Sequence, residues 1–525
     1  MFHNPVLPGF YPDPSVCRVG GDYYLATSSF EYFPGVPIFH SRDLVHWRQL
    51  GHALERPSQL ALEGARSSQG IFAPTLREHA GMFYLVTTNV SNGGSFYVKA
   101  RDPAGPWSEP VWLKEDVFTM DPSLFFDEDG RVYYTRHGGG EHGGVYQAEL
   151  ELATGKLRQA ATQIWAGTGG VWPEGPHLYR INGTYYLLIS EGGTSVGHML
   201  TVARSDSPFG PFEACPDNPI LSHRQRPSEP IQATGHGDWV QTPDGRWWIV
   251  FLGIRRWDGE HHHLGRETFL APVEWNSEGW PIIHRGEPIR LEMSSEGLPP
   301  RSPWPRAREQ ERDDFDRAEL SLVWNFVRNP APGSWSLSER PGFLRLHGSE
   351  ASLDRVSSPA FVGRRQQHLR CRASTRLLFE PERPGERAGL TLRANEDNHH
   401  ELVVTRVGSG RSVQLWTRCA GVSTLVAERA TANGPLVLAL EAFPDRYELS
   451  FDEGRGRQLL GSAPTAPLSS ESAGGFTGVY IGLFASLAQP MADATGAQAA
   501  AAPPGSMAPA DFDWFEYTPL ESASK

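Results

Sequence analysis

Three carboxylates open three segments built to one pattern, and that shared position is the strongest chemical signal in the chain. The segments are DPSVCRVGGDYYLAT from Asp13, DPSLFFDEDGRVYYT from Asp121 and EGPHLYRINGTYYLLIS from Glu174. An Asp before a proline ordinarily makes only turn hydrogen bonds. Acids that recur at one place in a repeat point instead to a common location. Like charges gathered there raise at least one pKa, a cost that accompanies catalysis or cation binding. Glu174 also sits within VWPEGP, between Trp172, Pro173 and Pro176. That rigid aromatic frame would desolvate the carboxyl and keep it protonated near neutral pH.

Two further segments share the pattern, PTLREHAGMFYLVTT from Pro74 and HGDWVQTPDGRWWIVFL from His236. Each reads as an alternating strand, a tight turn, and a second strand that begins with an aromatic pair. The pairs are Tyr23-Tyr24, Phe83-Tyr84, Tyr133-Tyr134, Tyr185-Tyr186 and Trp247-Trp248, spaced 60, 50, 52 and 62 residues apart. The turns Gly20-Gly21, Ala80-Gly81, Asp129-Gly130, Asn182-Gly183 and Asp244-Gly245 are mostly dipeptides that accept the positive φ angles of two-residue hairpins. A period near fifty residues fits a four-stranded propeller blade. The next hairpin would fall near residue 300, where the chain reads GLPPRSPWPRAREQERDD, so five blades are expected. If equivalent strands lie innermost, Asp13, Asp121 and Glu174 converge on one axial funnel.

The expected fold is all-β: a five-bladed β-propeller over 1–297, a linker rich in Pro, Arg and Glu over 298–312, and a β-sandwich of jelly-roll or lectin-like type over 313–525. The last part reads as short alternating strands such as HHELVVTRV and SVQLWTR, without the hairpin repeat. An Ala/Pro/Gly-rich stretch, 490–510, is expected to be a surface loop.

Composition excludes other classes. The 525 residues carry a net charge of −13 and no dense Lys/Arg run, which argues against nucleic acid. No run of about eighteen apolar residues exists to cross a membrane. The opening MFHNPVLPGFYPDPSV has neither the charged nor the apolar region of a secretion signal, so a cytoplasmic location is expected. Cys17, Cys215, Cys371 and Cys419 are scattered without a CxxC pair, as suits reduced, packed thiols. His261, His262 and His263 are adjacent residues that would point in different directions rather than ligate one ion.

The blocks NPVLPGFYPDPS, SSFEYFPGVPIFHSRDLVHW, TMDPSLFFDEDG, VWPEGPHLY, SEGGT, GHGDWV and LGRETFLAPVEW resemble, in order, those of glycoside hydrolase family 43, the inverting β-xylosidases and α-L-arabinofuranosidases. The resemblance covers essentially the whole chain, because the sandwich resembles the C-terminal domain of the xylosidase branch. It implies that Asp13 is the general base that activates water, Glu174 the general acid, and Asp121 the residue that orients the acid and tunes its pKa through its negative charge. Arg266 would hold ring hydroxyls near the acids. Phe33, Phe72 (often Trp in the family), Trp172 and Thr194 would line the sugar site. Phe476 of the sandwich would close one end of the pocket, contributing to the active-site rim and restricting attack to chain ends. His236 would approach, through water, a structural calcium or sodium on the propeller axis, with no cofactor required for the chemistry.

The function expected is exo-hydrolysis of terminal β-D-xylose from xylo-oligosaccharides or arabinoxylo-oligosaccharides, with α-L-arabinofuranosidase action as the alternative or a second activity. A catalytically inactive carbohydrate-binding protein is the other class. No nucleic-acid or membrane partner is expected, and association into a homo-oligomer is left open.

Overall fold

The computed structural model describes residues 1–114, 118–301, 312–487 and 507–520. Most of the expected linker, 302–311, and most of the Ala/Pro-rich stretch, 488–506, lie outside the described residues. The chain divides into two compact units, the first holding 1–62, 68–260 and the chain from 266 to the linker, the second everything beyond.

Five antiparallel sheets in sequence order make up the first unit, a five-bladed propeller. Their inner strands are Ser15–Val19, Thr75–His79, Thr119–Phe126, Glu174–Ile181 and Ile231–Gln241. Each inner strand touches the next, and the fifth touches the first, so the ring is closed. The closure joins the start of the chain to the end of the first unit: Phe2–His3 pairs with Glu292–Met293. Beside it the Asn4 amide donates to the Leu270 carbonyl at 3.0 Å and accepts from the Leu270 N–H at 2.9 Å. Phe2, Val6 and Leu7 are buried there with Trp248 and Leu270. At about 25 cal/mol per Å² of apolar surface, that burial drives the seam shut without a shared blade.

The hairpins fall where the aromatic pairs place them, but not all of their turns are two residues long. His79 pairs with Met82 and Ile181 with Thr184, leaving Ala80-Gly81 and Asn182-Gly183 as two-residue turns with positive φ throughout. In blades three and five, Phe126 pairs with Val132 and Gln241 with Trp247, so Asp129-Gly130 and Asp244-Gly245 belong to five-residue loops. Local polar bonds close those loops: the Arg131 carbonyl accepts from Asp127 N–H at 2.9 Å, and the Arg246 carbonyl from Thr242 N–H at 2.8 Å. Asp-Gly specifies positive φ at the glycine but does not by itself fix loop length.

The second unit is a β-sandwich of two antiparallel sheets, one of six strands and one of eight. The long strand Ala510–Pro519 lies beside Cys371–Leu378 in the larger sheet. Alternate residues of the strand CRASTRLL are buried and solvated, as a sheet with one face on a core requires. This unit also takes in 63–67 and 261–265, which the linear partition assigned to the propeller. Bonding explains the second excursion: His262 Nδ1 lies 2.7 Å from Glu471 Oε1, and the His263 carbonyl accepts from Val479 N–H at 2.9 Å. The three adjacent histidines accordingly do not form a cluster. All four cysteines are free.

Candidate active site

Two of the three acids, Asp121 and Glu174, are presented by breaks in regular pairing. Inner-strand register slips between Met120 and Ser123 around Asp121, between Glu174 and His177, and between Gly235 and Asp238 around His236. Such bulges turn a side chain off the sheet face. Asp13, two residues ahead of its strand, has φ 53°, Asp121 52° and His236 46°. In blade four the corresponding left-handed residue is Gly175, φ 56°. A Cβ there would lie 2.9 Å from His236 Nε2, so glycine meets both demands. Each non-glycine residue held this way stores on the order of 1–3 kcal/mol, as strained functional residues commonly do.

Asp121 is 6 % exposed, and Gly175 N–H donates to its Oδ2 at 3.2 Å. Burial raises this carboxyl well above the ordinary carboxylate range, and the charges of Glu174 and Asp13 add to the rise. The opposing pulls of Gly175 N–H and Arg266 are smaller. The three acids therefore share one field across three blades. Burial and like charge thus disfavour the charged form of Asp121.

Asp13 has the opposite setting. Arg266 Nη1 donates to Oδ1 at 2.9 Å, its Nη2 reaches Oδ2 at 3.4 Å, and the Ser28 hydroxyl donates to Oδ2. These charge-assisted bonds fix Asp13 in place. Arg266 also donates to Thr194 Oγ1 at 3.0 Å and lies 5.5 Å above the Phe30 ring. Phe30 packs 5.4 Å from Phe72 and 5.7 Å from Phe10. Trp172 packs 5.7 Å from His137, whose Nδ1 lies 2.7 Å from the Pro173 carbonyl, next to Glu174. Phe33 is buried in the short strand Tyr32–Phe33, and the ring beneath Arg266 is Phe30. Phe476 lies in the second unit, 37 % exposed.

His236 Nδ1 stands 3.8 Å from Asp13 Oδ1. Burial lowers its pKa against the raising pull of the Asp13 and Glu174 charges, leaving a neutral imidazole. Among the described residues no group of three His, Cys, Asp or Glu could hold a metal ion. One imidazole is not a ligand set, so these residues do not fit a directly ligated metal.

Inner-strand side chains from four blades also meet in an ionic knot that the sequence did not announce. Arg77 Nη1 donates to Asp238 Oδ2 at 2.7 Å and Nη2 to Oδ1 at 3.1 Å. Ser15 donates to the same carboxylate at 2.7 Å and Tyr179 at 2.5 Å, while His177 Nδ1 lies 3.0 Å from Arg77. Burial alone would raise Asp238. The Arg77 charge, then His177 and the bonds from Arg77 and Tyr179, outweigh it and hold the carboxyl at about 2. Ser15 follows Asp13 by two residues and His177 follows Glu174 by three, so the knot anchors the backbone that presents both acids.

Comparison with known proteins agrees with this geometry. Residues 2–281 match the model for glycosyl hydrolases family 43, and residues 312–518 match that for the beta xylosidase C-terminal Concanavalin A-like domain. The chain is 42 % identical to the non-reducing end alpha-L-arabinofuranosidase BoGH43B of Bacteroides ovatus, over 99 % of this chain and 95 % of that protein. It is 35 % identical to a beta-xylosidase of Bacillus subtilis, over 98 % and 99 % of the two chains. Among solved structures, a xylan beta-1,4-xylosidase from Bacillus halodurans superposes with TM-score 0.90 at 37 % identity, over 99 % of this chain and 100 % of that one. The chain is a glycoside hydrolase and belongs to glycosyl hydrolases family 43.

Proposed function

We propose that the enzyme is an inverting exo-glycosidase that removes terminal β-D-xylose from xylo-oligosaccharides and accepts α-L-arabinofuranosides in the same site. The observation that carries this reading is the contrast between two converging carboxyls. Asp13 is forked by Arg266, whereas among the described residues no Arg or Lys bonds Glu174, which shares the field of Asp121. Asp13 takes a proton from a water that attacks the anomeric carbon. Glu174 gives its proton to the glycosidic oxygen as the C–O bond breaks. Asp121 couples to Glu174 and orients it through the Gly175 N–H bond. Arg266, shared between Asp13 and Thr194, is placed to hold ring hydroxyls as well.

Terminal xylopyranose and arabinofuranose present similar hydroxyls, and relatives of comparable identity carry names for each activity. The reading is tested by the ratio of kcat/KM for an aryl β-D-xylopyranoside to that for an aryl α-L-arabinofuranoside. A ratio above one supports the xylosidase reading, and a ratio below one makes arabinofuranosidase the principal activity. No turnover of either leaves a sugar-binding protein. For exo action, xylotetraose should release xylose and xylotriose first. A cation near His236 would be held by one imidazole and otherwise by water, and no step of the mechanism passes through it.

A further inference from the structure

Beside Glu174 lies a residue that no motif singled out. His198 follows the SEGGT block and is fully buried, with its Nε2 3.3 Å from Glu174 Oε1. The ring is fixed from several sides. Its Nδ1 lies 3.3 Å from the Ala233 carbonyl, its backbone N–H donates to Ser195 O at 3.0 Å, and its carbonyl accepts from the Ser222 hydroxyl at 3.1 Å. It lies flat on the inner strand of blade five, where a Cβ at Gly235 would come within 2.4 Å of Cε1 and Nδ1. The space for the imidazole is thus cut into the backbone of a neighbouring blade.

The acid has a single proton, which must sit on the oxygen that meets the departing group, so Oε1 can only accept, and the ring serves it by carrying a hydrogen on Nε2. That Nε2 is buried with no aligned hydrogen bond, although Glu174 Oε1 is the polar atom next to it. A buried donor left this way costs about 1–3 kcal/mol, which a bond to Glu174 Oε1 would recover. Catalytic hydrogen bonds are commonly long or misaligned before substrate binds. Glu174 Oε2 has no hydrogen-bond partner among the described residues, and the side chain is 12 % exposed. One carboxyl oxygen therefore faces a fixed ring and the other is open.

We propose that His198 is the positioning residue of the acid: it anchors Glu174 through Oε1 and sets the rotamer that presents the carboxyl to the departing oxygen. This rests on reading Glu174 as the general acid. A residue that acts through the acid matters only when the leaving group needs a proton. Positioning by an acid–base group is worth about 10²–10⁴-fold in full, so loss of the anchor alone should cost about 10- to 100-fold.

The test compares His198→Ala, His198→Gln and Gly235→Ala with the parent, on the methyl and the 2,4-dinitrophenyl glycosides of whichever pentose is preferred. Expected for His198→Ala and for Gly235→Ala, which displaces the ring without removing it, is a kcat loss of about 10- to 100-fold on the methyl glycoside. The loss should be under about 3-fold on the dinitrophenyl glycoside, whose leaving group needs no proton, with KM little changed on both. His198→Gln, which keeps a donor, should regain part of the loss. Equal losses on both substrates in all three variants, or no loss in any, overturn the proposal. If Glu174→Gln itself shows no dependence on the leaving group, the acid assignment fails instead, so the two failures are distinct.

Discussion

Replacing Arg77 by Met would test how the acids are held. Arg77 is 17 % exposed in its side chain and Asp238 not at all, and two nitrogens of one reach both oxygens of the other. Lowering the Asp238 carboxyl from the ordinary 3.8 to about 2 corresponds to on the order of 2.5 kcal/mol of stability. Because the folded value is depressed, that contribution is present above pH 3.8 and is lost as pH falls through about 2. Removing the cation leaves a buried carboxylate with the Ser15 and Tyr179 hydroxyls, the Val16 N–H and a neutral His177, a situation that costs about 3–5 kcal/mol. Urea unfolding at pH 7 should show Arg77→Met less stable by about that amount. The deficit should shrink on acidification, since the unpaired Asp238 can then take a proton. Arg77→Met/Asp238→Asn should recover at least half of the deficit, because no buried charge remains. A deficit below about 1 kcal/mol at pH 7, or a double variant no better than the single one, would refute the view that this pair clamps the blades beneath the acids.

Glu174→Gln should lower kcat on alkyl pentosides by about 10²–10⁴-fold while leaving sugar binding nearly intact by calorimetry; retained hydrolysis removes the acid assignment. Asp121→Asn should raise the melting temperature at pH 8 and change it little at pH 4. A carboxyl raised in the folded state contributes stability only at low pH and loses it as pH rises, so the amide gains where the acid is charged. An equal shift at both pH values would contradict that origin. Dialysis against EDTA should leave kcat/KM within about 2-fold of the untreated enzyme, as expected of a site that offers, among the described residues, one imidazole and no ligand set; a large loss restored by calcium would show a cation acting there.

The repeat made Asp13, Asp121 and Glu174 legible before any coordinates, because equivalent positions in a propeller must meet. Arg266 and Thr194 were reached only through the family resemblance, and the structure joins them by a direct hydrogen bond. Contacts between blades with no shared motif were not legible. Arg77 and Asp238 are 161 residues apart, and neither stands out in PTLREH or GHGDWV. Phe30, with φ 49°, lies under Arg266, and no local pattern encodes that. His198 was hidden for the same reason: its partner Glu174 is in a different strand and its cradle, Gly235, in a different blade. Turn length in blades three and five depends on side-chain bonds of Asp127 and Thr242 that the Asp-Gly dipeptide does not report. The 261–265 excursion follows from bonds to residues more than 200 positions away.

The central claim is that Asp13 activates a water that displaces the aglycone directly, and the anomer formed first tests it. Proton NMR of a β-D-xyloside hydrolysed by concentrated enzyme, recorded before mutarotation, should show α-xylose as the initial product. If β-xylose appears first, the reaction passes through a second displacement, and Asp13 is a nucleophile rather than a base.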